Sequence, residues 1–398
     1  MDHDIFVVGG GCIGCSIAMH IADRSSLDVA VVEKERQFAA HQSGRNSGVL
    51  HPGFNYEPDT IKARFATTGT RRMKSYCEEN DIPLRGFGVV VCAQSDEEHE
   101  RLEALHAQAT ENGVETELLD GSALSEHEPH ASGQSALHCP EAASVDSQQY
   151  VYQLARDCVS LGVDFYLETE VKSIEDNDGG YTLKTNKGKL TASYLVNAAG
   201  LHADTFAHQL DVGKNYHIVP FRGEYYELSP ASRSLVNTMI YPTPDPDLPF
   251  LGVHFTRRAD DKVIVGPNAV LAMGREAYDN TAVNSRDLAA MIGYRGVWRL
   301  LASRKMVRVA MDELGKSFSK ARFTNAARKL VPEITAEDLH KSYAGIRAQV
   351  VSSDGRLVQK PLFVKTADSV HVLNAVSPGL TCSLPFGEHV ADIVVAEF

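Results

Sequence analysis

The chain has 398 residues, too many for one simple core and suited to two interleaved domains. A net charge of -13 excludes a general nucleic-acid binder, because phosphate contacts need clustered Lys and Arg. A composition of 43% hydrophobic and 23% charged residues excludes a disordered or fibrous chain.

No apolar run approaches the roughly 20 residues that cross a bilayer, so no membrane-spanning helix is expected. The opening Met1-Asp2-His3-Asp4 reads as the entry to a strand and not as a secretory signal. Seven cysteines form no paired framework, which places the protein in a reducing cytoplasm.

Ile5-Phe6-Val7-Val8 is the apolar run of a buried parallel strand, followed by a glycine turn and a helix over Cys12 to Arg24. Asp28 to Val32 is the second strand, ending at Glu33-Lys34-Glu35. Residues 35 to 58 are rich in Gly, Ser, Asn and His and read as a long functional loop. Helical patterns follow around 60–80 and 96–112, with a strand at Phe87 to Ala93 between them. Asp146 to Leu161 is predicted helical and Asp164 to Glu168 a short strand. Tyr181 to Thr185 and Lys189 to Thr191 form a hairpin around Asn186-Lys187-Gly188, and Tyr194 to Asn197 is a further strand. Residues 217 to 270 alternate like an antiparallel sheet, helices fill 284 to 338, and His371 to Asn374 is a strand before a last helix from about Cys382.

These pieces predict an α/β protein. A discontinuous Rossmann-like nucleotide domain takes 1–84, 146–216 and 340–398. A substrate domain with a mainly antiparallel sheet and helices takes 85–145 and 217–339.

Residues 295 to 329 depart from the acidic balance, with Arg299, Arg304, Lys305 and Arg308 interleaved with Trp298, Leu300, Leu301 and Val307. A solvated helix packing its apolar side on the protein is the ordinary reading. A basic amphipathic helix on an anionic membrane surface is the other.

Gly9-x-Gly11-x-x-Gly14 follows a strand and opens a helix. Its glycines permit the tight turn, the approach of a pyrophosphate and close helix-to-strand packing, and the helix N-terminus favours phosphate. Glu33, at the end of the second strand, is placed to accept hydrogen bonds from ribose hydroxyls. The turn alone supports a dinucleotide. FAD is preferred to NAD because further polar segments are spread along the chain: His41 to Gly48, Asn197 to Gly200, and Ser377 to Thr381 leading into a helix. A helix N-terminus beside a flavin stabilises the charge of its reduced form. No second glycine turn is present, so electrons are expected to leave to oxygen, a quinone or another carrier. Cys12-x-x-Cys15 reads as small side chains at a close-packed helix start, and no metal site is expected.

His41-Gln42-Ser43-Gly44-Arg45-Asn46-Ser47-Gly48-Val49-Leu50-His51 resembles the HQTGHNSGVIHAG signature of the L-2-hydroxyglutarate oxidases and dehydrogenases. Pro220 to Tyr226 is similar to their PFRGEYF segment. Ile240 to Pro242, Pro249 to His254, Val265 to Ala269, Ala344 to Gln349, and Asn374-Ala375 with Ser377-Pro378 are similar too. Arg45 stands where the family usually has His, and Pro52 where it has Ala. The resemblance implies a glycine/D-amino-acid-oxidase-like fold, noncovalent FAD, and oxidation of L-2-hydroxyglutarate to 2-oxoglutarate by hydride transfer from C2 to flavin N5. With it, cofactor contacts are expected from Gly9, Gly11, Cys12, Ile13, Gly14, Glu33, Lys34, Gln42, Ser43, Arg45, Asn46, Ser47, Val171, Ala199, Gly200, Pro378, Gly379, Leu380 and Thr381. A quinone acceptor in bacterial relatives would give the basic segment 295–329 a role in peripheral contact with the inner face of the membrane.

Oxidising a 2-hydroxy acid needs a base for the hydroxyl proton, and histidine titrates near working pH. His51 is the first candidate and His254 the second. Arginine suits the carboxylates of a dicarboxylate. Arg347 is expected at the C1 carboxylate, with Arg257, Tyr241 and His254 toward the distal one, while Arg222 either joins them or holds local backbone and Glu224. A flavin amine oxidase acting on glycine, sarcosine or a D-amino acid is the main alternative, and a non-catalytic flavin-binding subunit the other.

Overall fold

The structure is a computed structural model that describes residues 1–246, 250–375 and 377–398. Pro249 of the Pro249–His254 segment and the Arg304 side chain lie outside the described residues.

The apolar run at the start forms the strand His3–Val8, with Ile5, Phe6 and Val7 fully buried, as both faces of a parallel sheet require. It lies between Val29–Val32 and Gly188–Asn197, parallel to both. Asp164–Tyr166 extends one side of this eight-stranded sheet and Ser369–Asn374 joins the other, again in parallel. The segments expected to share a nucleotide domain are therefore neighbours in one sheet. Helix Cys12–Arg24 crosses from the first strand to the second and packs on the last helix, Ser383–Val395, and on Ser147–Ser160.

A nine-stranded sheet, mostly antiparallel, forms the second layer. The long strands Tyr216–Leu228 and Leu339–Ser352 pair along most of their length. Val263–Gly266, His254–Arg257 and Met239–Pro242 continue the sheet. Met239–Pro242 then pairs in parallel with Val89–Ala93, so the expected antiparallel run carries one parallel join. A small sheet of Val49–Leu50, Ala143–Val145 and Leu84–Arg85 holds the start of the loop that bears His51.

Several expectations change. Lys189–Thr191 and Tyr194–Asn197 are one strand, because its first half pairs with Gly180–Thr185 and its second with Ser369–Asn374. The last helix of the 284–338 region ends at Ala327; Pro332 follows, and a residue before proline is driven out of helical geometry. Leu339–Ser352 belongs by pairing to the nine-stranded sheet, so we propose the domain boundary after Ser352 instead of at 340.

Candidate functional site

The two sheets face each other across a cavity of about 1860 Å³. Small-molecule pockets usually measure roughly 300–1,000 Å³, so this one suits an extended ligand together with a second, smaller one. It opens at the carboxyl ends of the parallel strands, at Val8, Val32 and Ala198, where open α/β sheets bind nucleotides.

At that end the glycine turn is tight. Gly9 takes φ +110, and a Cβ on Gly14 would sit 1.8 Å from the Gly9 carbonyl oxygen. The helix begins without a side-chain cap at Gly11; the Cys12 N–H donates to Ser43 Oγ at 3.0 Å, and Gly10, Gly11 and Ile13 line the cavity beside it. Glu33 accepts from Gly10 N–H at 2.8 Å and from Glu35 N–H at 2.9 Å. One backbone bond to each oxygen fixes the carboxylate and leaves lone pairs for ribose hydroxyls. The polar loop is turned by Asn46, whose amide donates to the carbonyls of Gln42 (2.9 Å) and Ser43 (2.8 Å) and whose Oδ1 accepts from Gly48 N–H. The expected contacts Gly9, Gly11, Cys12, Ile13, Gly14, Glu33, Lys34, Gln42, Ser43, Arg45, Asn46, Ser47, Val171, Ala199, Gly200, Pro378, Gly379 and Leu380 all line the cavity. Uncapped N–H groups, the fixed carboxylate and the polar loop fit an FAD along this path.

Thr381 does not line it. The Thr381 hydroxyl instead donates to Val49 O and accepts from His51 N–H at 3.2 Å, which pins the His51 loop to the turn before the last helix. Cys12 and Cys15 are buried, Cys15 Sγ donating to Gly10 O, as packing side chains. Arg45 lies over the Tyr278 ring at 4.3 Å and donates to Ala40 O at 3.0 Å.

At the far end the nine-stranded sheet contributes Tyr241, His254 and Arg347, and the loop contributes His51 and Tyr56. His254 Nδ1–H donates to Gly252 O at 2.8 Å; a carbonyl only accepts, so Nε2 carries the lone pair. Tyr241 stands between the imidazoles, with ring centroids 4.4 Å from His254 and 6.4 Å from His51. Its hydroxyl, beside Thr256, is buried without a hydrogen-bond partner among the described residues. Burial pushes both histidines down to about 4, with His254 and Lys62 adding to the effect on His51, so both are neutral near pH 7.

Two cations complete this end. Arg347 is pushed down by burial and lies over the Phe250 ring at 5.2 Å. Lys62 was absent from the sequence expectations: it rides over the Tyr56 ring at 4.2 Å, and burial together with Arg347 brings it down to about 8. Among the described residues neither cation has a carboxylate partner. Arg257 is not in the cavity. It lies three residues after His254 on the same strand, hence on the opposite face, where it donates to Val236 O at 2.9 Å. Arg222 is also structural, buried against Glu224 and donating to Asp279 O at 2.8 Å.

The model of the family described as FAD-dependent oxidoreductases matches residues 4–393. The chain belongs to the FAD-dependent oxidoreductase family. Across its full length it is similar to L-2-hydroxyglutarate dehydrogenase of Escherichia coli (strain K12), at 37% identity over 98% of this chain and 93% of that one. The mitochondrial L-2-hydroxyglutarate dehydrogenase of Caenorhabditis elegans is 35% identical over 100% of this chain and 94% of its own. Among solved structures, FAD-bound L-alpha-glycerophosphate oxidase from Mycoplasma pneumoniae superposes with a TM-score of 0.77 at 21% identity, covering 99% of this chain and 94% of that one. Glycine oxidase from Geobacillus kaustophilus gives 0.73 at 20% identity, covering 99% and 95%. At those identities the two structures speak for the fold alone.

Proposed function

We propose that the protein oxidises L-2-hydroxyglutarate to 2-oxoglutarate and passes the electrons to a quinone or to oxygen. The observation that carries this is the pair of half-buried cations, Arg347 and Lys62, both lowered by partial desolvation, without a protein carboxylate among the described residues and close to two neutral histidines. Buried charges are normally paired, so this site calls for a dianion. The family resemblance at 41–51 and the full-length relatives support the five-carbon hydroxy diacid.

When bound, FAD supplies the two-electron acceptor for the hydride leaving C2. Arg347 and Lys62 divide the two carboxylates and fix the orientation of C2. His51 takes the hydroxyl proton on its neutral imidazole, and Lys62 close to it favours the alkoxide that forms. Tyr241 packs its ring against both imidazoles and so fixes their spacing at the substrate.

Anaerobic titration of the FAD-loaded protein tests the reading. L-2-Hydroxyglutarate should bleach the flavin, while D-2-hydroxyglutarate, glycine, sarcosine and D-amino acids leave it oxidised. Bleaching by an amino acid alone would move the protein to the amine oxidases. Reoxidation with air or a soluble quinone then identifies the acceptor.

A further inference from the structure

The helix Arg304–Phe318 is inverted relative to an ordinary surface helix. Three of its polar side chains face the protein: Glu313 accepts from Ala269 N–H at 2.8 Å, the Ser317 hydroxyl donates to Glu224 at 2.9 Å, and the Lys316 side chain is 15% exposed. Its apolar side chains face solvent, with Val307 45%, Met311 65%, Leu314 44% and Phe318 71% exposed. Spacings of four, three and four residues put these on one stripe. The preceding helix, Arg295–Leu301, exposes Trp298 (57%) and Leu301 (36%).

Charge sets the partner. Exposed Arg295, Arg299, Lys305 and Arg308 lie on these two helices, and Lys320, Arg322, Arg328 and Lys329 follow directly. The exposed acid Asp312 is paired with Lys316. A chain of net charge -13 thus gathers cations around its most exposed apolar stripe. Packing of this face on the same face of a second copy would set these cations against each other.

We propose that the helices Arg295–Leu301 and Arg304–Phe318 dock on a bilayer surface that contains anionic lipids. Trp298, Met311 and Phe318 enter the acyl boundary and the flanking Lys and Arg hold the headgroups. The longer helix has 15 residues, about 22 Å, shorter than the roughly 30 Å hydrocarbon core, so it lies in the membrane plane. The inference is independent of the substrate reading, since its test reads no turnover.

The test is sedimentation of the full-length, FAD-loaded protein with vesicles of phosphatidylglycerol and phosphatidylcholine, against phosphatidylcholine alone. Trp298 is the only tryptophan and reports directly. Expected are cosedimentation with the anionic vesicles, weakened by salt, and a shift of Trp298 emission to shorter wavelength. The pair Met311→Ser and Phe318→Ser should lose roughly tenfold or more of the binding while the flavin spectrum and melting temperature stay unchanged. Absence of binding to anionic vesicles would overturn the proposal. So would a dimer, seen by light scattering, that Phe318→Ser converts to monomers, because a second copy would then own the face.

Discussion

His51 and His254 are both neutral at working pH, and their surroundings separate them. His254 is held by the Gly252 carbonyl and packs on Tyr241, whereas His51 is the one that senses the Lys62 cation. His51→Ala should retain FAD yet lose flavin reduction by about 10²–10⁴-fold, the usual worth of a general base; a normal anaerobic reduction rate would remove His51 from that role. Arg347→Lys keeps the charge but loses the bidentate fork, so KM should rise roughly tenfold to a hundredfold. Lys62 makes a pH prediction. Its charge is present below about 8 and lost above it, so kcat/KM should fall as pH rises through that value, and rise through about 4 as His51 loses its proton. Lys62→Arg should flatten the alkaline limb while the acid limb stays. Little in the local sequence marks Lys62, which is one of many polar residues in a helical pattern. Arg257 was avoidable, because an odd separation from His254 on one strand places it on the other face.

The glycine turn and the helix it opens were readable because both are local. Gly14→Ala places a methyl against the Gly9 carbonyl, so the purified variant should carry much less FAD, measured by the ratio of flavin to protein absorbance. The last helix buries Leu384, Phe386, Val390, Ala391 and Val394, with the Phe386 ring against Phe65 and Phe363, and Phe386→Ala should cost roughly 3–5 kcal/mol in denaturant unfolding. The strand Leu339–Ser352 was missed for the opposite reason. Its Lys, Ser, Gly, Arg and Gln residues break the alternation, and it is a strand because Tyr216–Leu228 offers a full-length partner more than a hundred residues away in sequence.

The two layers are joined by a buried ionic group. Asp204, under the first sheet, receives Arg275 Nη2–H at 2.9 Å and lies 3.1 Å from His217 Nδ1 on the second. Burial alone would raise the Asp204 carboxyl; the bonds from His217 and Arg275 outweigh it and hold it below the ordinary carboxylate range. A lowered folded-state pKa stabilises above the unfolded value of about 3.9, and that contribution fades as pH falls below it. The melting temperature should therefore drop on acidification through pH 4, and less so in a variant lacking the group. Arg275→Met leaves the buried Asp204 with His217 and a backbone N–H but without its guanidinium, at a cost of about 3–5 kcal/mol by denaturant titration.

Local sequence was enough for the glycine turn with its flanking strand and helix, the position of Glu33 and the polar loop, because each is written in short-range spacing and side-chain size. The family resemblance at 41–51 added the reaction. Assembly of the site was not written there. Which cation stands beside Arg347, which face Arg257 takes and why Val307, Met311, Leu314 and Phe318 look outward all depend on contacts between residues far apart in the chain. Helical spacing says that a stripe exists; the packing of Glu313 and Ser317 against the second sheet says which way it points.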